Sequence, residues 1–146
     1  MSALVDTNIL LYSANPASPE HSAARAAIEG LRRGGSPWFL TWGVVYEFLR
    51  AATHPVVFTR PLTLAAAVSF IGHLLESPSV EVLRETEAHF SQLEEVTRQT
   101  PGIHGNDVHD AHLVVLMREH KVRTILTADK GFRRFRDIEV VDPVHA

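Results

Sequence analysis

Residues 3 to 11 read Ala3-Leu4-Val5-Asp6-Thr7-Asn8-Ile9-Leu10-Leu11, a short apolar run that ends in an acid and is followed by a second apolar run. Its first three residues are too few and too uniformly apolar for a half-exposed strand, so they predict a buried strand inside a parallel sheet. A helix is expected to follow at once, with Asn8 as its cap or as an early-turn residue. Asp6 then lies at the carboxyl end of the first strand, the edge where open α/β sheets bind ligands. Considered alone, Asp6 is better explained as a helix cap, because aspartate caps helices routinely.

The rest of the chain alternates buried strands with amphipathic helices. Further strands are predicted at residues 38–41, 80–83, 123–127 and 138–141, and helices at residues 20–33, 42–53, 64–75, 87–100 and 106–120. Such alternation requires parallel pairing with right-handed crossovers. We therefore expect a single domain over residues 1–146 with a three-layer α/β/α fold and a central, mostly parallel sheet of about five strands. Helix 64–75 has an unusually wide apolar face, which predicts burial or, alternatively, contact with a partner.

Composition excludes several classes of protein. The chain has 146 residues, no cysteine and a formal net charge of −3. The absence of cysteine excludes disulfides, thiolate metal sites and cysteine nucleophiles, and it favours a cytoplasmic protein. The nearly balanced charge argues against a nonspecific nucleic-acid binder but is compatible with a nuclease whose acids are offset by local basic residues. No apolar stretch reaches the ~20 residues of a membrane span and no signal-peptide pattern is present, so no membrane partner is expected.

Four acidic residues are expected to meet at the carboxyl edge of the sheet. Asp6 and Asp129 follow the first and the fourth strand, while Glu47 lies in the third helix and Asp110 near the start of the last long helix. Carboxylates a few Å apart repel one another, and a divalent cation relieves that repulsion. Because hard cations prefer carboxylate oxygens, the cluster predicts Mg²⁺ or Mn²⁺ rather than Zn²⁺.

Each acid also has a purely structural interpretation. Glu47 could pair with Arg50, three residues further along the helix, and the two interpretations weigh equally there. Asp129 could cap a short helix directly after it, again with equal weight. Asp107 is better explained by the positive end of the helix dipole. Asp110 lies a turn deeper, next to residues expected to be buried, where a functional role is favoured.

Histidines and other nucleophiles provide weaker candidates. His104, His109, His112 and His120 are clustered in the sequence, and His109 and His112 share one side of a helix as metal ligands can. Their spacing does not define a third ligand, so a structural role is favoured. The chain contains no Gly-x-Ser-x-Gly elbow and no glycine-rich phosphate loop after a strand. An aspartate-nucleophile phosphohydrolase would need Asp-x-Asp where this chain has Asp6-Thr7-Asn8.

Four short motifs follow one another along nearly the whole chain. They are Val5-Asp6-Thr7-Asn8-Ile9-Leu10, the helical Glu47, Asp110-Ala111-His112-Leu113 and Thr127-Ala128-Asp129-Lys130-Gly131-Phe132. In this order they resemble the PIN domain, in particular the VapC-type toxins of bacterial toxin–antitoxin pairs. The resemblance implies a Mg²⁺- or Mn²⁺-dependent endoribonuclease that works as a homodimer and is silenced by a cognate antitoxin protein.

The resemblance also assigns roles to individual residues. The four family acids fall on Asp6, Glu47, Asp110 and Asp129. Asp6 and Asp110 would be the principal metal ligands, and Asn8 and Thr127 would orient the cluster from behind it. Asp107 is an additional acid that the family pattern does not require.

Contacts with RNA and with an antitoxin can also be considered from the sequence. The basic residues after Asp129 could contact RNA phosphates or form a solvated surface; they are Lys130, Arg133, Arg134 and Arg136. An antitoxin arginine could pair with the acids and compete with the metal. The alternative from another class is an inactive PIN-like module that only binds RNA or protein. Four mutually repelling carboxylates argue against it, because a binding module has no physical reason to keep them.

Overall fold

The computed structural model describes residues 1–145, which are organised around one parallel sheet. Its strands are β1 (Leu4–Val5), β2 (Trp38–Thr41), β3 (Val80–Leu83), β4 (Thr124–Leu126) and β5 (Glu139–Val141). They lie in the order β3-β2-β1-β4-β5, and all neighbouring pairs are parallel. β1 occupies the centre, where Leu4 is paired with Phe39 on one side and Ile125 on the other.

The helices fill the connections between these strands. They are α1 (Thr7–Ala14), α2 (His21–Arg33), α3 (Trp42–Ala52), α4 (Leu64–Leu75), α5 (His89–Gln99) and α6 (Asp107–Glu119), followed by a 3₁₀ segment (Lys130–Arg134). The chain changes direction across the sheet between β3 and β4. Right-handed crossovers therefore place α1 to α4 on one face and α5 and α6 on the other. The predicted α/β fold with a five-stranded sheet between helical layers is confirmed.

Apolar side chains from both helical layers are buried against the sheet. The core includes Leu4, Val5, Trp38, Phe48, Met117 and Phe132, all of them fully or almost fully inaccessible to solvent. α4 contributes Ala67, Ile71 and Leu74 to this core, but Leu64 and Val68 on the same helix are exposed. Burial thus accounts for only one side of its wide apolar face. Within residues 1–145, the helices lack the combination of length and apolar character needed to cross a membrane.

The first helix begins two residues earlier than it would if Asn8 were its cap. Asp6 is the cap: its side chain accepts the backbone N–H of Thr7. Of the two roles predicted for Asn8, the early-turn position is the correct one, and the capping role is wrong. The physical reason is that the capping oxygen must lie just before the first helical N–H groups, and Asp6 already occupies that position.

Candidate functional site

A hydrogen-bond network holds Asp6 at the carboxyl end of β1, next to β4, where the order of the strands in the sheet reverses. Oδ1 accepts the N–H of Thr7 at 2.8 Å, and Oδ2 accepts the hydroxyl of Thr127 at 2.8 Å and the amide of Asn8 at 3.3 Å. Asn8 also donates to Thr127 Oγ1 at 3.0 Å and accepts the N–H of Ala128 at 3.0 Å. The segments after the adjacent strands β1 and β4 are thereby tied together. Asp6 consequently has a defined orientation at the edge where α/β sheets bind ligands.

Asp129 combines a structural contact with an electrostatic effect on its neighbours. Its backbone N–H donates to Thr127 Oγ1 at 3.0 Å, and its Oδ1 accepts the N–H of Gly131 at 2.8 Å, so it caps the 3₁₀ segment. The capping interpretation is therefore correct. Its charge nevertheless raises the pKa of both Asp6 and Asp110. A structural contact and a place in the acidic cluster are thus compatible for this residue.

Asp110 lies in the first turn of α6 and faces the same cluster. Its pKa is raised to about 6, first by burial and then by the charges of Asp129 and Asp6. Arg134 opposes the increase: its guanidinium lies 3.2 Å from Asp110 Oδ2 and 3.4 Å from an oxygen of Asp107. Asp107 and Asp110 therefore share one arginine, which neutralises the charge of Asp110 only in part.

Asp6 shows the same deficit of positive charge. Burial raises its pKa, the hydrogen bonds from Thr127 and Thr7 lower it, and the nearby Asp129 raises it again. The net direction is upward, although three donors contact the carboxylate. The donor set consists of oxygens, which hard divalent cations prefer. The residues present therefore fit the Mg²⁺ or Mn²⁺ ion that the sequence predicts.

Glu47 reaches the site from α3, on another wall of the cleft. Arg50 donates to its two carboxylate oxygens at 3.1 and 2.5 Å, so the predicted pairing of these two residues is confirmed. The hydrogen bond from Arg50 is the main reason why the pKa of Glu47 is lowered. Glu47, Asp6 and Asp110 all line a cleft of about 840 Å³, whereas Asp129 does not. Of the predicted acids, three share this cleft, and the fourth acts on them through its charge.

The cleft also contains residues that the sequence did not single out for it. Asn106, His109 and Arg50 lie along its wall, and no motif or periodicity marks Asn106. Of the basic residues after Asp129, Arg134 contacts the acids and stacks over the Phe135 ring at 5.1 Å. The others of that set are exposed, namely Lys130, Arg133 and Arg136.

The histidines do not act as one group. His109 and His112 both line the cleft, and His112 also lies 2.9 Å from Glu85. His104 and His120 contact the backbone carbonyls of residues 102 and 84. The four clustered histidines thus have separate neighbours, and a metal site formed by them alone is not present among the described residues.

Comparison with known proteins gives concordant results. A family model described as the PIN domain matches residues 3–138. Ribonuclease VapC48 of Mycobacterium tuberculosis is 34% identical over 143 residues, which cover 98% of each chain. VapBC2 from Rickettsia felis, solved with a DNA fragment from its promoter, gives a TM-score of 0.68 at 16% identity and covers 97% of this chain and 98% of its own. The sarcin-ricin loop cleaving toxin VapC20 of M. tuberculosis gives 0.66 at 19% identity, with 94% and 98% covered.

Proposed function

The chain belongs to the PIN-domain family, and from this premise we propose that it is a Mg²⁺- or Mn²⁺-dependent endoribonuclease and the toxin of a toxin–antitoxin pair. The family match confirms the resemblance that the sequence motifs indicated. One observation carries the proposal: Asp6 and Asp110 converge on one cleft with raised pKa values, beside the charge of Asp129. Mutually repelling carboxylates destabilise the fold, and a bound cation gives a reason to retain them.

The geometry of the cleft supports the ligand assignment that the family resemblance implies. Asp6 and Asp110 would hold it, and Glu47 and Asp129 would complete the cluster directly or through water. When bound, such a cation lowers the pKa of a water molecule and stabilises the charge that develops on the phosphate during in-line attack. Electrostatics supports this assignment, because burial and neighbouring negative charge raise the pKa values of Asp6 and Asp110.

The surrounding residues orient the acids and balance their charge. Thr127 and Asn8 hold the Asp6 carboxylate in one orientation, so less reorganisation is needed when the site is used. Arg134 and Arg50 neutralise part of the acidic charge in the metal-free protein. Both guanidinium groups lie beside acids that line the cleft, where they can contact an RNA backbone. A chain with net charge −3 can therefore bind RNA locally.

The partners and the setting complete the proposal. The relative named ribonuclease supports RNA as the substrate, and the VapBC2 neighbour supports a protein antitoxin as a partner. The exposed residues Leu64 and Val68 on α4 support a homodimer, since apolar surface of this kind is typical of protein contacts. The chain would act in the cytoplasm as a single nuclease domain.

Cleavage of RNA under controlled metal conditions tests the proposal. Fluorophore-labelled total RNA and a random-sequence oligonucleotide are incubated with the protein in EDTA, Mg²⁺ or Mn²⁺. We expect cleavage only with metal and a loss of at least about a hundredfold in Asp6→Asn, since removing one principal ligand removes the transition-state contact. Asp137→Asn is the matched control: this acid is exposed, lies outside the cleft and has a positive φ that asparagine tolerates equally well.

Two outcomes would overturn the assignment. Cleavage in EDTA, or full activity of Asp6→Asn, would mean that the acidic cluster is not the metal site of a nuclease. RNA binding without cleavage under every metal condition would instead support the alternative, a PIN-like module that binds RNA or protein without chemistry.

A further inference from the structure

A second group of side chains with metal-ligating atoms shares no residue with the acidic cluster. It consists of Glu85, after β3, His89, the first residue of α5, and His112, in α6. One nitrogen of each imidazole and one carboxylate oxygen lie within 4.8 Å of one another. We propose that these three residues bind Zn²⁺, or another divalent ion with the same preference for nitrogen, independently of the acidic cluster.

The distances within the group are compatible with a metal ion. Nε2 of His112 lies 2.9 Å from Glu85 Oε1, and the two imidazole rings meet edge to face with centroids 5.6 Å apart. With Zn–N and Zn–O bonds of about 2.0–2.2 Å, the donors of a tetrahedral ion are separated by about 3.3–3.6 Å. The donors therefore need to move by about 1.5 Å at most. Glu85 and His112 are 54% and 43% exposed, so their side chains have room for this movement.

A buried carboxylate orients His89. Nδ1 of His89 lies 2.7 Å from Glu119 Oε2, and the Glu119 side chain is fully inaccessible to solvent. The other oxygen of Glu119 accepts the N–H and the hydroxyl of Thr86 at 2.8 and 2.6 Å. This arrangement leaves Nε2 of His89 as the nitrogen available to a metal. Metal-bound histidines usually donate their second nitrogen to a carboxylate or carbonyl in this way, which fixes the orientation of the ring.

The donor set selects the kind of ion. Two imidazoles and one carboxylate suit zinc and related transition metals, whereas Mg²⁺ takes oxygen ligands and keeps most of its water. Three protein ligands leave a fourth position for water on the exposed side. The acidic cluster offers oxygens alone and therefore has the opposite preference. The two sites should be distinguishable by their metals.

The site connects parts of the chain that are distant in sequence. Glu85 lies in the loop between β3 and α5, and α5 packs against α6, which carries His112 and, two residues earlier, Asp110. His112 also lines the cleft. A zinc ion would therefore join this loop to the helix that supplies a wall of the proposed nuclease site.

Binding of Zn²⁺ and Co²⁺ to the Asp6→Asn protein provides the test. This background weakens the acidic site, so binding that survives in it is independent of the proposed nuclease function. We expect one Zn²⁺ per chain by isothermal titration calorimetry and visible absorption bands from tetrahedral Co²⁺ that Zn²⁺ abolishes and millimolar Mg²⁺ does not. Glu85→Gln in this background should weaken binding at least about tenfold, because an amide is a poor zinc ligand.

The control separates the cluster from its surroundings. Glu81→Gln changes an exposed acid on the neighbouring strand β3 and should leave Zn²⁺ affinity unchanged. Circular dichroism establishes that each variant is folded, and His89→Gln provides a second loss of affinity at another ligand. Absence of Zn²⁺ binding, or equal affinity of the Glu85→Gln and Glu81→Gln proteins, would show that the residues form ion pairs only and would overturn the proposal.

Discussion

Replacing Asp110 with asparagine should stabilise the metal-free protein at neutral pH. The Asp110 carboxylate is partly buried and is repelled by the charges of Asp129 and Asp6. Asparagine has almost the same shape, and its side-chain oxygen can still accept the hydrogen bond from Arg134. The substitution therefore removes the repulsion while keeping the main contact.

The magnitude follows from the pKa of about 6 in the folded protein, against an ordinary value of 3.8. This difference corresponds to about 3 kcal/mol of stability at pH 7. Because the side chain is partly solvated, screening reduces the effect to about 1–1.5 kcal/mol. In a domain of this size such a gain raises the Tm by about 2–6 °C.

The stability difference between Asp110→Asn and the wild type should depend on pH. The folded pKa lies above the unfolded one, so the Asp110 charge destabilises the fold in full above pH 6 and ceases to do so as the pH falls towards 3.8. In EDTA at pH 7, the Tm of Asp110→Asn should therefore be higher than that of the wild type. The difference in Tm should shrink as the pH falls towards 4. Asp137→Asn serves as the control and should show no such gap.

With metal bound, the wild type should have a higher Tm than Asp110→Asn, the reverse of the order expected in EDTA. Mn²⁺ at a hundred times its dissociation constant adds about 2.7 kcal/mol to the wild type, and a variant that lacks a principal ligand should gain much less. If Asp110→Asn melts below the wild type in EDTA at pH 7, the carboxylate stabilises the fold through Arg134 and the argument from repulsion is refuted.

Three further substitutions test other parts of the site. Glu47→Gln should lower RNA cleavage at least about tenfold but change the Tm by less than ~2 °C, because its ion pair is exposed; full cleavage would contradict a catalytic role. Thr127→Val should cost about 1–3 kcal/mol in urea unfolding, because Asp6 loses a buried donor, and Thr127→Ser should recover most of it; equal values for the two would argue against the hydroxyl. Arg134→Gln removes a competing positive charge and should lower the Mn²⁺ concentration for half-maximal thermal stabilisation by about two- to tenfold while raising the KM for RNA. An increased Mn²⁺ requirement would show that Arg134 supports the site instead of competing with the ion.

Local patterns determined much of this molecule. A short apolar run at Leu4 and Val5 predicts a central strand, because only a strand covered on both faces buries every side chain. The sequence predicts α2 to α6 to within two residues at each end, since their apolar periodicity and end signals lie within the segments themselves. The predicted layout of strands and helices brought Asp6, Glu47, Asp110 and Asp129 to one sheet edge as candidates, and the order of the motifs added the family resemblance.

Tertiary packing decided which of these side chains meet and in what state. The hydrogen bond between Asp6 and Thr127 joins residues 121 positions apart, and nothing local specifies its existence. The ion pair between Arg134 and Asp110 and the contact between His112 and Glu85 are likewise not specified locally, because they depend on how α6 packs against its neighbours. A pKa of about 6 for Asp110 likewise arises from burial and from charges on other segments. Sequence periodicity reports the environment of one element, whereas desolvation and charge interactions depend on distances between elements, and only the folded chain determines those.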